Sequence, residues 1–264
     1  MRFKEILIII IITGFFQLPG CLYNDDITNI INNPSSYKKK VLVEFFTNSG
    51  CNPCVAAHEY LDGITALSGV TSNDTNVIII SYHTRYPYPY DSLYRANVPH
   101  NEARISYYGV SYTPQGRLDG VNLGQFNAND WTSAINLELS TKNYTAITLS
   151  KTYDTLSRTG NVGAQINTLS SIQDGDIVVH LVITENSVPY ITAGNGVKYP
   201  NDVMRTLLTG ENGEPITLVN GQQITINKDF TIQNNWNQEN CYITIFFQSI
   251  SSKAIYGVER IKVK

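Results

Sequence analysis

Two cysteines stand two residues apart in "SGCNPCVAAHEYL", Cys51 and Cys54, directly before an apolar run. Such a pair can be a redox dithiol, half of a zinc site, a haem attachment point or a structural staple. Haem attachment needs a histidine immediately after the second cysteine, and Val55 stands there. Zinc takes four ligands, of which one Cys-x-x-Cys supplies two; His58 lies four residues after Cys54, and Cys241 or His83 could complete a set from a distance, but no second Cys-x-x-Cys exists. A staple across so short a loop removes little entropy from the unfolded chain. Redox exchange is the strongest reading, and no metal or other cofactor is expected.

The elements that must position this pair support that chemistry. "KKVLVEFF", Lys39 to Phe46, is an apolar run of strand length, and "CVAAHEYLDGITAL" follows with helical spacing. The dithiol then sits where a strand hands over to a helix. Free N–H groups and the positive end of the helix dipole stabilise a thiolate there, lowering the pKa of Cys51, expected to be the more exposed thiol. Pro53 suits the first helical turn, where its missing N–H costs nothing. Cys54, one turn on, is placed to resolve a mixed disulfide.

The rest of the chain bounds what partners this dithiol meets. Of the 264 residues 42% are hydrophobic and 16% charged, which suits one large or two ordinary globular domains. A net charge of -3, with no basic tract beyond Lys38 to Lys40, excludes capture of a nucleic-acid backbone. Arg2 and Lys4 precede an apolar run from Ile6 to Phe16, too short to span a bilayer but right for a secretory signal over residues 1–20. "LPGC" follows. It resembles a bacterial lipobox despite Pro19, and implies that Cys21 is lipidated and anchors the mature chain in the outer membrane. Residues 21–34, rich in Asn and Asp, read as a tether. The remaining cysteine, Cys241 in an alternating apolar strand, reads as a small buried hydrophobe.

"VLVEFF…CNPC" resembles the strand, active-site turn and helix of the thioredoxin superfamily. The resemblance implies a cis-proline facing the dithiol, and "YYGVSYTPQGRLDG" offers Thr113-Pro114, with Tyr112 and Thr113 as the substrate-binding edge. It also implies a buried acid, matched by Glu44, which would carry the proton of Cys54. Two departures stand out: Gly50 replaces the tryptophan usual before the first cysteine, and one extra residue separates Glu44 from Cys51. The Tyr- and Pro-rich insert between Ser81 and Gly109 can form a substrate lip or pack over the sheet.

A resemblance over nearly the whole mature chain, through "RISYYGVSYTP", "NDVMRTLLTGENGEPI" and "CYITIFFQSISSKAIYGVERIKV", is to the outer-membrane-protein-28-related lipoproteins. It implies an exported thioredoxin-like domain followed by a β-rich domain.

"FNANDWTSAINLELS" closes the first part as a helix capped by Asn129 or Asp130. From Asn143 the period changes to two, and six runs separated by turns such as Asp174-Gly175 and Asn220-Gly221 argue for an antiparallel, immunoglobulin-like sandwich. One helix, "NDVMRTLLTG", is expected among them, with Gly210 as its stop. His180 reads as a packed strand residue. The expected organisation is an α/β thioredoxin-like domain over 35–141 and an all-β sandwich over 142–264.

Two functions follow. The first is a thiol–disulfide oxidoreductase acting on exported protein thiols and disulfides and served by an unidentified thiol reductant or oxidant. The second is an outer-membrane binding lipoprotein in which the Cys-x-x-Cys is structural or vestigial.

Overall fold

The computed structural model describes residues 37–67 and 76–264. The leader, Cys21 and the tether lie outside the described residues. Strand β1 (Val41–Thr47) leads through a turn into helix α1 (Cys54–Leu67), and β2 (Val77–His83) returns parallel to β1, in register from Val41 opposite Val77 to Thr47 opposite His83. Both strands are buried throughout, which is why they read as continuous apolar runs. Alternation divides their side chains. Val41, Val43, Phe45, Val77 and Ile79 pack on Ala57 and Leu61 of α1, while Leu42, Phe46, Ile78, Ile80 and Tyr82 fill a second cluster on the opposite face.

That second face is covered by α2 (Ser92–Ala96) and α3 (Val98–Tyr108), which add Tyr94, Ile105 and Tyr108 to its cluster. Gly109 ends α3 in the left-handed conformation, φ 63°, that suits glycine. The hairpin β3 (Gln115–Leu118) and β4 (Val121–Gln125) then adds antiparallel to β1. Helix α4 (Ala128–Leu139) returns to the α1 face with Trp131 fully buried. Its cap is Asn127, whose side chain accepts from the Asn129 and Asp130 N–H groups; the two residues expected to cap the helix are inside it.

The later strands are β5 (Thr145–Asp154), β6 (Thr159–Thr168), β7 (Ile177–Glu185), β8 (Val203–Leu207), β9 (Glu214–Pro215), β10 (Gln223–Thr231), β11 (Cys241–Ser249) and β12 (Ile255–Lys262). One mixed nine-stranded sheet runs β12-β11-β7-β8-β2-β1-β3-β4, with β9 on β7, and a three-stranded sheet β10-β6-β5 packs over one end of it. The protein is thus mostly β with few helices, and the main chain bonds across the boundary expected near Lys142: β8 pairs with β7 on one side and with β2 on the other, where the Ser81 N–H donates to the Asp202 carbonyl at 2.7 Å. Strands β7 and β11 are buried on both faces, with Leu181 and Phe247 under the three-stranded sheet and Val182 and Phe246 toward α3.

The segment expected to be a helix near Val203 is therefore strand β8, which corrects that reading. Its pairing slips between Ile183 and Thr184 of β7, and Arg205 is the extra residue. This bulge sends Met204 and Leu207, three apart, into the same cluster, imitating helical spacing. Gly120 shows how closely the two halves approach: a Cβ there would lie 1.9 Å from the Lys253 carbonyl oxygen, and its φ is 90°.

Candidate functional site

The dithiol turn grows from the end of β1. The Asn48 carbonyl accepts from the Cys51 N–H at 3.0 Å, and its side-chain oxygen accepts from the Gly50 N–H at 2.8 Å. The Asn48 amide donates to the carbonyls of Thr84 and Tyr88 at 2.6 and 2.9 Å, tying the turn to the Tyr- and Pro-rich insert. Glycine is required at position 50, because a Cβ would meet that of Tyr88 at 2.6 Å. This accounts for the missing tryptophan.

Cys51 and Cys54 form a disulfide, with S–S 2.09 Å. Cys51, expected to be the more exposed thiol, is 2% exposed against 0% for Cys54, so both are buried, and Asn52 and Pro53 carry the turn's surface. The cover comes from the far half of the chain. The Asn195 N–H donates to the Ser49 carbonyl at 2.6 Å, and its side-chain amide donates to the carbonyls of Asn48 and Cys51 at 3.2 and 3.3 Å. The Tyr190 hydroxyl meets Ser49 Oγ at 3.0 Å and accepts from the Ser92 N–H. Nothing in the sequence marks these two residues, which stand in an irregular segment about 140 positions from the dithiol.

Beneath the turn, on the α1 face, lies a polar cluster. His58, four residues after Cys54, brings Nε2 to 3.0 Å from Thr47 Oγ1, and burial first and the nearby His83 second push its pKa down to about 3. His83 Nδ1 lies 2.8 Å from Asp91 Oδ2, the same oxygen that accepts from the Ser49 N–H at 2.7 Å. The other Asp91 oxygen accepts from the N–H groups of Leu93 and Tyr94 and so caps α2. Burial alone would raise the Asp91 carboxyl; the charge of His83 and hydrogen bonds from His83, Ser49 and Tyr94 outweigh it and hold it below its ordinary value. His83 Nε2 is buried without a hydrogen-bond partner.

Glu44 is placed elsewhere. Its side chain belongs to the Leu42 and Phe46 face, opposite α1, where Arg104 Nε and Nη2 each donate to it at 2.8 Å and the Tyr108 hydroxyl at 2.5 Å. Gln248 completes the network, donating to the Tyr108 hydroxyl and accepting from Arg104. The alternation of β1, unbroken in its register with β2, sets this: Glu44 falls with Leu42 and Phe46, away from α1. Burial opposes the charge of Arg104, but Glu44 prevails and raises its pKa.

The Thr113-Pro114 bond is cis, as the thioredoxin resemblance implies, and so is Tyr86-Pro87, which the sequence did not signal. Gln115 pairs with Phe46, so continuing the register sets Pro114 beside Thr47, at the dithiol end of the sheet. Thr113 Oγ1 donates to the Tyr86 carbonyl at 3.3 Å, joining the two proline loops, and Tyr112 is exposed. Cys51, Cys54 and Pro114 thus share one end of the sheet, Thr113 and Tyr112 flank it, and Glu44 serves a different network. Cys241 is buried, its thiol pushed up to about 12 by burial and then by the charge of Glu185. His180 stacks on Phe246 at 4.9 Å. Among the described residues no group of three or more His, Cys, Asp or Glu side chains is arranged to hold a metal ion, and no helix is long and apolar enough to cross a membrane.

A mixed sheet carrying a second sheet at one end and a covered Cys-x-x-Cys disulfide along its edge of turns defines a mostly β protein with a disulfide-bearing loop site. The model of the family described as outer membrane protein Omp28 matches residues 101–264, more than half of the sequence, and the chain belongs to that family. This places it in the cell envelope. Among solved structures it is similar to HBP35 of Porphyromonas gingivalis, with 14% identity, TM-score 0.72, and 86% of this chain and 76% of that one covered. At that identity the likeness is one of fold. A domain of the outer membrane lipoprotein Omp28 from Porphyromonas gingivalis also matches, at 16% identity and TM-score 0.33, over 46% of this chain and 89% of that one. No curated protein matches the chain.

Proposed function

We propose that this protein is a binding lipoprotein of the outer membrane, attached through a lipid on Cys21, in which the Cys51–Cys54 disulfide is part of the architecture. In this reading residues 35–141 are a thioredoxin-like unit and 142–264 an immunoglobulin-like sandwich, fused through the shared sheet. The observation that carries it is the cover over the dithiol turn: Asn195 and Tyr190 bond to Asn48, Ser49 and Cys51, and both cysteines are buried. A disulfide in that setting resists a thioredoxin-type reductant as long as the protein stays folded. The test is to titrate the folded protein with a dithiol of stepwise more reducing poise and follow the free thiols. Reduction only on unfolding supports the architectural role; full, reversible reduction in the folded state removes it. Lipid attachment is tested separately by Cys21→Ser, which should move the protein to the soluble fraction.

The second reading, a thiol–disulfide oxidoreductase working on exported protein thiols, is favoured by one observation. The Cys-x-x-Cys stands at the junction of β1 and α1 with Pro114 beside Thr47 by register, so the turn and the edge of β3 meet at one place. There an extended client segment can align.

A further inference from the structure

His83 ends β2 directly opposite Thr47, the last residue of β1 before the dithiol turn. Alternation puts Thr47 and His83 on the face that α1 covers, since Phe45 and Ile79 both pack there. Two contacts bracket the ring further. Asp91 holds His83 Nδ1 and the Ser49 N–H with one oxygen, tying the imidazole to the turn two residues before Cys51. His58, one helical turn after Cys54, reaches Thr47, the registered neighbour of His83.

With Nδ1 donating to Asp91, a neutral His83 carries its lone pair on Nε2. That atom is buried and has no partner, an arrangement that is costly where nothing is gained from it. The carboxylate fixes both the tautomer and the direction of the ring, as an orienting acid does for a general base. Glu44, bound by Arg104 on the opposite face, is not available for that task.

We propose that His83 moves the proton of Cys54 in thiol–disulfide exchange, an activity additional to binding that rests on the second reading above. The client is an exported protein dithiol, admitted when the Tyr190 to Asn195 segment lifts from the turn. His83 Nε2 takes the proton of the first client thiol, whose thiolate attacks Cys51 Sγ. The Cys51–Cys54 bond breaks with its electron pair on Cys54 Sγ, and His83 passes the proton to it. The second client thiol loses its proton and attacks the mixed disulfide; Cys51 leaves as a thiolate and takes up a proton. The client is oxidised by two electrons to a disulfide and the protein is reduced by the same two. The reverse sequence reduces a client.

The groups around His83 are Thr47 from β1, His58 from α1, Asp91 from the cap of α2, and the Ser49 N–H that shares the Asp91 oxygen, while Cys54 starts the helix that carries His58. The test uses the oxidised full chain and a fluorogenic dithiol peptide, with the rate of peptide oxidation read across pH. His83→Ala should slow it about 100-fold, the scale of general acid–base catalysis, and remove one inflection from the profile. Added imidazole should restore part of the rate in that variant and leave the unsubstituted protein unchanged, which a purely structural role would not produce. His83→Asn, which keeps a polar group toward Asp91, carries the same expectation if the alanine variant does not fold. An unsubstituted protein that exchanges at a rate and pH profile indifferent to both substitutions overturns the role of His83 alone. A protein that never exchanges, even with Asn195→Ala and Tyr190→Phe to loosen the cover, overturns the exchange reading and this proposal with it.

Discussion

Three residues apart on β1, Glu44 and Thr47 belong to two buried polar networks on opposite faces of the same sheet. The Glu44 network is closed around its carboxylate, and on its face only the buried Tyr82 hydroxyl lacks a hydrogen-bond partner among the described buried side chains of that cluster. Arg104, Tyr108 and Gln248 satisfy both carboxylate oxygens and one another, and they join α3, β1 and β11 across the two halves of the chain. The network beneath Thr47 is open, with a spare nitrogen on His83 and a breakable covalent bond in the turn that Asp91 ties to it. Buried groups with every partner in place fasten a fold, whereas a buried group left without one marks the place to look for chemistry. Breaking the two networks should therefore have different consequences.

The largest loss of stability is expected on the closed side. Arg104→Met strands the Glu44 carboxylate, and removing one partner of a buried ion pair costs about 3–5 kcal/mol. Urea unfolding should show it, while Glu44→Leu with Arg104→Met together should recover much of the loss. An Arg104→Met protein as stable as the original would mean that the network does not hold the two halves. On the open side, replacing both Cys51 and Cys54 by serine removes a closed loop of four residues, for which chain entropy gives about 2 kcal/mol. The same unfolding curves measure it. A loss above that of Arg104→Met would reverse the comparison.

A pH effect follows, to which the open network contributes through His58. His58 is neutral in the folded protein down to about pH 3. An unfolded histidine binds its proton near pH 6.5, so between 6.5 and about 3 the unfolded state holds the extra proton and stability falls as pH falls. The slope is at most about 1.4 kcal/mol per pH unit for one group. His180, also pushed down to about 3 by burial first and Arg104 second, adds in the same direction. Asp119 works against both. Burial raises its carboxyl to about 7, so it is protonated when folded and ionised when unfolded between 3.8 and that value, and its contribution improves as pH falls. The clean measurement is the difference between the original and His58→Gln at pH 7, 5.5 and 4. The variant should lose less stability on acidification, and identical pH profiles would remove His58 from the account.

Sequence patterns showed whatever depends on near neighbours. The strand β1, the Cys-x-x-Cys at its junction with α1 and the alternation in β5, β6, β7, β10, β11 and β12 follow from local periodicity, and the Omp28 family was visible in motifs spread along the chain. Long-range pairing was hidden. Nothing local distinguishes β8 as the strand that bonds to both β7 and β2, and its bulge at Arg205 counterfeits a helix. The sequence marks Glu44 as a buried acid, but its partner Arg104 stands 60 positions away, and no local pattern joins the two. The His83 and Asp91 pair needed only eight positions, yet neither residue carries a motif, and their meaning comes from the turn they touch.

The smallest expected effect probes the cover itself. Asn195→Ala deletes the side-chain bonds to the carbonyls of Asn48 and Cys51 but keeps the backbone bond to Ser49. Net hydrogen bonds of this kind contribute about 1 kcal/mol each, and the carbonyls they leave are partly buried and within reach of water once the side chain is gone. Global stability should fall by about 1 kcal/mol, little beside the loss from Arg104→Met. The rate at which a small dithiol reduces Cys51–Cys54 should rise by more than that loss explains, because the segment opens locally without unfolding the sheet beneath it. Comparing reduction rates with unfolding free energies separates the two outcomes. If reduction tracks global unfolding in both proteins, the turn is fastened by the sheet and Asn195 is only one of its surface contacts. If it runs ahead in Asn195→Ala, the segment from the far half of the chain controls access to the disulfide.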